Sequence, residues 1–92
     1  MYFSDFLTQY NRFRLGTILA SSFATWLFRV SDDMADGLDH DEWDLFTDIE
    51  NCAAELTGEH VSEPRFRQAV NDRVGDFLRV RGIGISENPI NV

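Results

Sequence analysis

Asp39-His40-Asp41-Glu42-Trp43-Asp44-Leu45-Phe46-Thr47-Asp48-Ile49-Glu50-Asn51-Cys52-Ala53-Ala54-Glu55-Leu56-Thr57-Gly58 reads as one amphipathic helix with both ends specified in the sequence. Asp39 is a residue type whose side chain accepts from free N–H groups of a first turn. Glu42, three positions on, completes a capping-box pair, and Leu38 and Trp43 stand at the hydrophobic-staple positions. Thr57-Gly58 supplies the stop, with Gly58 placed for a left-handed cap. Trp43, Phe46, Ile49, Ala53 and Leu56 recur at helical spacing with Cys52 alongside, which gives the helix one face to bury. Asp41, Asp44, Asp48, Glu50 and Glu55 fall to its outer face.

On the C-terminal side, Ser62 to Pro64 opens another helix, with proline in the first turn where its missing N–H costs nothing. Its stripe is Phe66, Ala69, Val70, Val74, Phe77 and Leu78, Arg79 and Arg81 lie in the last turn, and Gly82 stops it. The remainder, Ile83 to Val92, reads as a short irregular tail in which Ile83 and Ile85 fold back onto the bundle. On the N-terminal side, residues 31–38 read as an acidic loop closing on Gly37. Before it, Phe6, Leu7, Tyr10 and Phe13 make one helical stripe, capped by Ser4. Leu15, Ile18, Leu19, Ser22, Phe23, Trp26, Leu27 and Val30 make a second. At ~100° per residue the two stripes centre on opposite sides of one helix, so either a break between Asn11 and Gly16 or one long helix that meets two different partners is expected, and Gly16, costly in a helix interior, favours the break. The whole chain, residues 1–92, reads as a single helical domain: an all-α bundle of three to four helices with an irregular C-terminal tail.

Charge is segregated along the chain. Asp32 to Glu63 holds twelve carboxylates and no Lys or Arg, whereas Asp5 faces Arg12, Arg14 and Arg29 in residues 1–29, and five arginines outnumber three acids in residues 64–92. The net charge of −8 is therefore a basic molecule at both ends of the chain and a strongly acidic one between. Such a field bears on partners and association rates, not on the fold. Apolar residues at 43% and eight phenylalanines mark a globular chain. A lone cysteine, Cys52, rules out an intramolecular disulfide and points to a reducing compartment, the cytoplasm. The uncharged run Leu15–Phe28 is shorter than the ~20 residues of a spanning helix, so no membrane role is expected.

No motif for chemistry stands out. With Gly37 as the sixth residue of a calcium loop, Met34 falls third, Asp39 eighth and Trp43 twelfth, so the ligand frame fails three times. His40 and His60 lack the paired spacing of a helical zinc site. Cys52 has no nucleophile motif, and there is no phosphate-cradling glycine loop or dinucleotide fingerprint. The expectation is a non-enzymatic protein without metal or cofactor.

The acids therefore carry the functional reading. Isolated helices gain ~0.2–0.5 kcal/mol from each i, i+4 ion pair. This stretch forgoes such pairs, a pattern that makes sense if the field itself is used to dock on a basic surface. Basic surfaces of that extent are found chiefly on nucleic-acid-binding proteins. The expected function is a small stoichiometric inhibitor or decoy that occupies such a protein or complex, with Asp32, Asp33, Asp36, Asp41, Asp44, Asp48, Glu55 and Glu59 as the contact set. In size and charge it is like phage-encoded anti-defence proteins that block restriction or CRISPR machinery. Two other classes stand beside it. One is a structural or regulatory homodimer joined through exposed aromatics of the N-terminal helix. The other is a DNA-binding regulator presenting Arg65, Arg67, Gln68, Asn71 and Arg73, although these residues point around their helix and the total charge repels a polyanion.

Overall fold

The computed structural model describes residues 1–82, and among these the chain forms four helices: α1 (Phe3–Arg14), α2 (Ala20–Gly37), α3 (His40–Thr57) and α4 (Glu63–Val80). The small all-α bundle read from the sequence is the fold observed. The irregular tail, with Ile83 and Ile85, lies outside the described residues.

The expected break is present. α1 ends at Arg14, and Gly16 takes φ +79°, a left-handed conformation that glycine adopts without a Cβ clash. The second helix starts later than the periodicity implied. Ala20, not Leu15, is its first residue, and Leu15 and Leu19 are each 69% exposed in the connection. Their spacing is helical, but a helix continued through Gly16 would present the α1 stripe and the α2 stripe to opposite sides, and the chain reverses instead. At the other end of the molecule Gly82, at φ +74°, ends α4 as expected.

Three local expectations are corrected. Residues 31–38 are not a loop: α2 runs to Gly37, because Met34 is fully buried and holds the last turn on the core. Ser4 does not cap α1. Tyr2 occupies the cap position, and its backbone N–H donates to Asp5 Oδ2 at 2.8 Å. Gly58 is not left-handed; the positive φ, +63°, falls on Glu59.

Antiparallel packing follows from contacts between chain ends. Along α1 and α4, Phe3 meets Phe77, the Tyr10 hydroxyl donates to Asn71 Oδ1 at 2.7 Å, and Phe13 meets Phe66. The Gly37 end of α2 closes against Met1, whose carbonyl occupies the space a Cβ at position 37 would need. Between α3 and α4, Arg73 reaches Asp48 and Arg81 reaches Asp39. One end of the bundle thus gathers the start of α1, the end of α2, the start of α3 and the end of α4.

The short α1 is the centre of the core. Phe6 packs on Phe23 of α2 and Phe46 of α3, and Phe13 stacks on Phe23 with centroids 4.5 Å apart. Five fully buried phenylalanines (Phe6, Phe13, Phe23, Phe46 and Phe66) draw on all four helices. Full burial of such a side chain stabilises by ~1.5–3 kcal/mol, and a favourable ring pair adds ~0.5–1.5 kcal/mol. This aromatic centre closes the core and leaves the outer stripes of α2 and α3 to the acids.

Candidate functional site

α3 forms as read. Asp39 Oδ1 accepts from the Glu42 N–H at 2.8 Å, and Glu42 Oε1 accepts from the Asp39 N–H at 3.0 Å, so the capping box is closed. The backbone donor at Glu42, followed by the Arg81 guanidinium, holds the Asp39 carboxyl below its ordinary value. Phe46, Ile49, Cys52 and Ala53 are buried on the inner face, and Trp43 and Leu56 are half-buried at its edges. Burial pushes the Cys52 thiol up, which makes it a poor nucleophile and leaves it a small packing group.

The buried arc is wider than the stripe derived from spacing. Leu45, 7% exposed, belongs to it and lies on the border facing α4. Its signal was present in the sequence, since Leu45, Ile49 and Cys52 follow one another at spacings of four and three. Glu50 is also moved: it is half-buried toward α2, where the Ser31 hydroxyl donates to its Oε1 at 3.4 Å, and it is not part of the outer face.

The remaining acids separate into three places. Asp41, Asp44, Asp48 and Glu55 are all exposed. At ~100° per residue they fall within about 60° of one another, and at ~1.5 Å rise per residue they span about 21 Å. Asp32, Asp33 and Asp36 are exposed on the last two turns of α2, at the same end of the bundle as the start of α3. Glu59 lies in the α3–α4 turn at the opposite end. The eight residues are therefore one stripe, one corner beside its start and one outlying charge.

Pairing divides the stripe further. Arg73 Nε donates to Asp48 Oδ2 at 2.7 Å, so Asp48 is partly neutralised. Asp44 meets only His40, Nε2 to Oδ2 at 3.5 Å, and the ligand atoms of His40, Asp41 and Asp44 lie within 4.8 Å of one another, all exposed. Among the described residues, Asp32, Asp33, Asp36, Asp41, Glu55 and Glu59 have no guanidinium within 4.0 Å.

Of the five arginines from Arg65 to Arg81, four are used within the molecule. Arg67 donates to the Phe13 carbonyl at 2.8 Å and to Glu63, and its guanidinium lies over the Phe13 ring. Arg79 pairs with Asp76. Arg81 contacts Asp39 and Glu42 and lies over the Phe77 ring. Of the surface suggested for DNA, Arg67, Asn71 and Arg73 are thus tied into the bundle, which leaves Arg65 and Gln68. Of the aromatics at the N-terminal helix, Phe6, Tyr10 and Phe13 are buried and Tyr2 is 69% exposed.

Between α3 and α4, next to the acidic stripe, runs an open groove floored by Leu45, Phe77 and Val80. Val80 is 88% exposed, an apolar residue that the α4 stripe did not include. Among the described residues no helix is long and apolar enough to cross a membrane. No protein-family model matches the chain, no curated protein is similar to it in sequence, and no solved structure matches it.

Proposed function

We propose that this protein is a non-catalytic interaction protein whose α3 carboxylates dock on the basic, nucleic-acid-binding surface of a partner protein and so block it. The observation that carries the reading is the exposed row Asp41, Asp44 and Glu55, which has no guanidinium within 4.0 Å although Arg67, Arg73, Arg79 and Arg81 each pair with acids elsewhere. An acidic stripe kept only for solubility would gain from the cross-helix pairing that Asp48 receives. The corner Asp32, Asp33 and Asp36 extends the field past the start of α3.

Four carboxylates over about 21 Å is sparser than the one phosphate per ~3.4 Å of a single DNA strand. The face suits a basic patch at a few points and does not trace a duplex. The reading fits a stoichiometric inhibitor of the anti-defence kind, acting in the cytoplasm against a nucleic-acid-binding protein or complex.

The test is capture of partners by the tagged protein and by a variant with Asp41, Asp44 and Glu55 changed to Arg. Asp48 is left intact because its reversal would also strand Arg73. The captured partner should be lost in the variant while its helical circular dichroism is kept, and wild-type capture should weaken steeply with salt. Equal capture by both, or capture indifferent to salt, refutes the proposal.

A further inference from the structure

We infer that the α3–α4 groove takes an apolar side chain from a partner segment that also carries arginine or lysine, so that the partner is read by shape as well as by charge. The inference rests on the docking role proposed for the acidic face and names what that face would grip. Its basis is an exposed apolar surface that borders the acidic face. Leu45, Phe77 and Val80 make an apolar floor, and Asp41 and Asp44 stand on its α3 bank. Val80 is 88% exposed at a position where a charged or polar residue would serve an ordinary solvent-facing turn.

Charge decides the occupant. Four aspartates and two arginines line the groove, and both arginines are held by acids: Arg73 by Asp48, and Arg81 by Asp39 and Glu42. Asp76 faces Arg79 of its own helix, and Asp41 and Asp44 have no guanidinium within 4.0 Å among the described residues. An acidic or purely apolar segment would bury or confront these carboxylates without compensation. A segment alternating guanidinium and leucine-like groups satisfies both the bank and the floor. Arg81 over the Phe77 ring closes one side of the floor, which gives the groove a fixed end.

The probe is a synthetic Arg-Leu-Arg-Arg-Leu-Arg peptide, compared with the same peptide carrying Ser at both Leu positions, each titrated into the full-length chain. The Leu peptide should bind about tenfold more tightly, the gain expected for part-burial of one leucine. Its binding should shift the amide resonances of Leu45, Phe77 and Val80. Val80→Ser should remove the Leu advantage and leave the Ser peptide unchanged, whereas Asp41→Arg with Asp44→Arg should weaken both peptides. Equal binding of the two peptides overturns the groove and leaves the acidic face standing. Binding of neither also overturns the groove, and partner capture then judges the acidic face separately. If Val80→Ser instead destabilises the free chain or disperses a dimer in sedimentation, the groove is already occupied by the chain's own C-terminal segment or by a second copy, and the proposal is wrong.

Discussion

The acids on either side of Leu38 carry the same charge into opposite ends of two helices. Asp39, Asp41 and Glu42 begin α3, where a helix presents free N–H groups and the positive end of its dipole, and Asp39 and Glu42 close a capping box there. Asp32, Asp33 and Asp36 end α2, where the dipole is negative, no basic residue occupies the last turn, and Asp32 and Asp36 stand one turn apart with like charge. Local physics favours the first group and opposes the second. The second turn of acids survives because Met34 and Val30 are buried beneath it. The lesson is that a sequence of alternating acids can be helix-starting or helix-breaking by its own electrostatics, and that a single apolar anchor decides which.

Removing that anchor should have the largest effect. Met34→Ala leaves a cavity in the core and is expected to cost ~2–5 kcal/mol, read by urea denaturation, with amide exchange rising first at Asp32 to Gly37. Retained protection there would mean that the end of α2 is held by something other than Met34. Asp39→Ala comes next, because it removes both the cap and the partner of Arg81. The melting temperature should fall by several degrees, while Asp36→Ala leaves it level or raises it. The two substitutions moving together would erase the contrast.

The pH dependence follows from the same residue. The folded carboxyl of Asp39 is depressed, so its contribution is present above the ordinary carboxylate range, about pH 4, and is lost as pH falls through the folded value. Thermal melts from neutral pH downward should therefore drop at the acid end in the wild type, with a shallower drop in Asp39→Ala.

Two gains of stability complete the series. Glu59→Gly relieves a left-handed non-glycine residue and removes an acid from the C-terminal end of α3, for about 0.5–1 kcal/mol after the entropic cost of glycine. Asp36→Asn should stabilise by roughly 0.3–1 kcal/mol, a gain that shrinks in high salt. If the corner acids also serve docking, Asp36→Asn makes the chain more stable and a weaker binder, which separates the two roles in one variant.

Much of the fold was legible because the signals were local. The capping box at Asp39, Pro64 in the first turn of α4, Gly16 and Gly82 each act through their own backbone and need no partner to be recognised. The outer row Asp41, Asp44, Asp48 and Glu55 was legible for the same reason, as angular spacing alone sets which residues share a side. What was not legible depended on neighbours. Glu50 turns from the outer face to Ser31, and Asp48 is claimed by Arg73 from another helix.

The amino-acid sequence by itself determined an all-α bundle of three to four helices, the N-terminal starts of α3 and α4 and an acidic outer side on α3, because helical period, capping chemistry and dipole preference operate over a few residues. Only the tertiary structure decided that α2 continues through Asp32, Asp33 and Asp36, which acids keep their charge uncovered and that an apolar groove borders them. Those outcomes rest on burial and ion pairing between segments distant in the chain, and neither is encoded in the spacing of any one stretch.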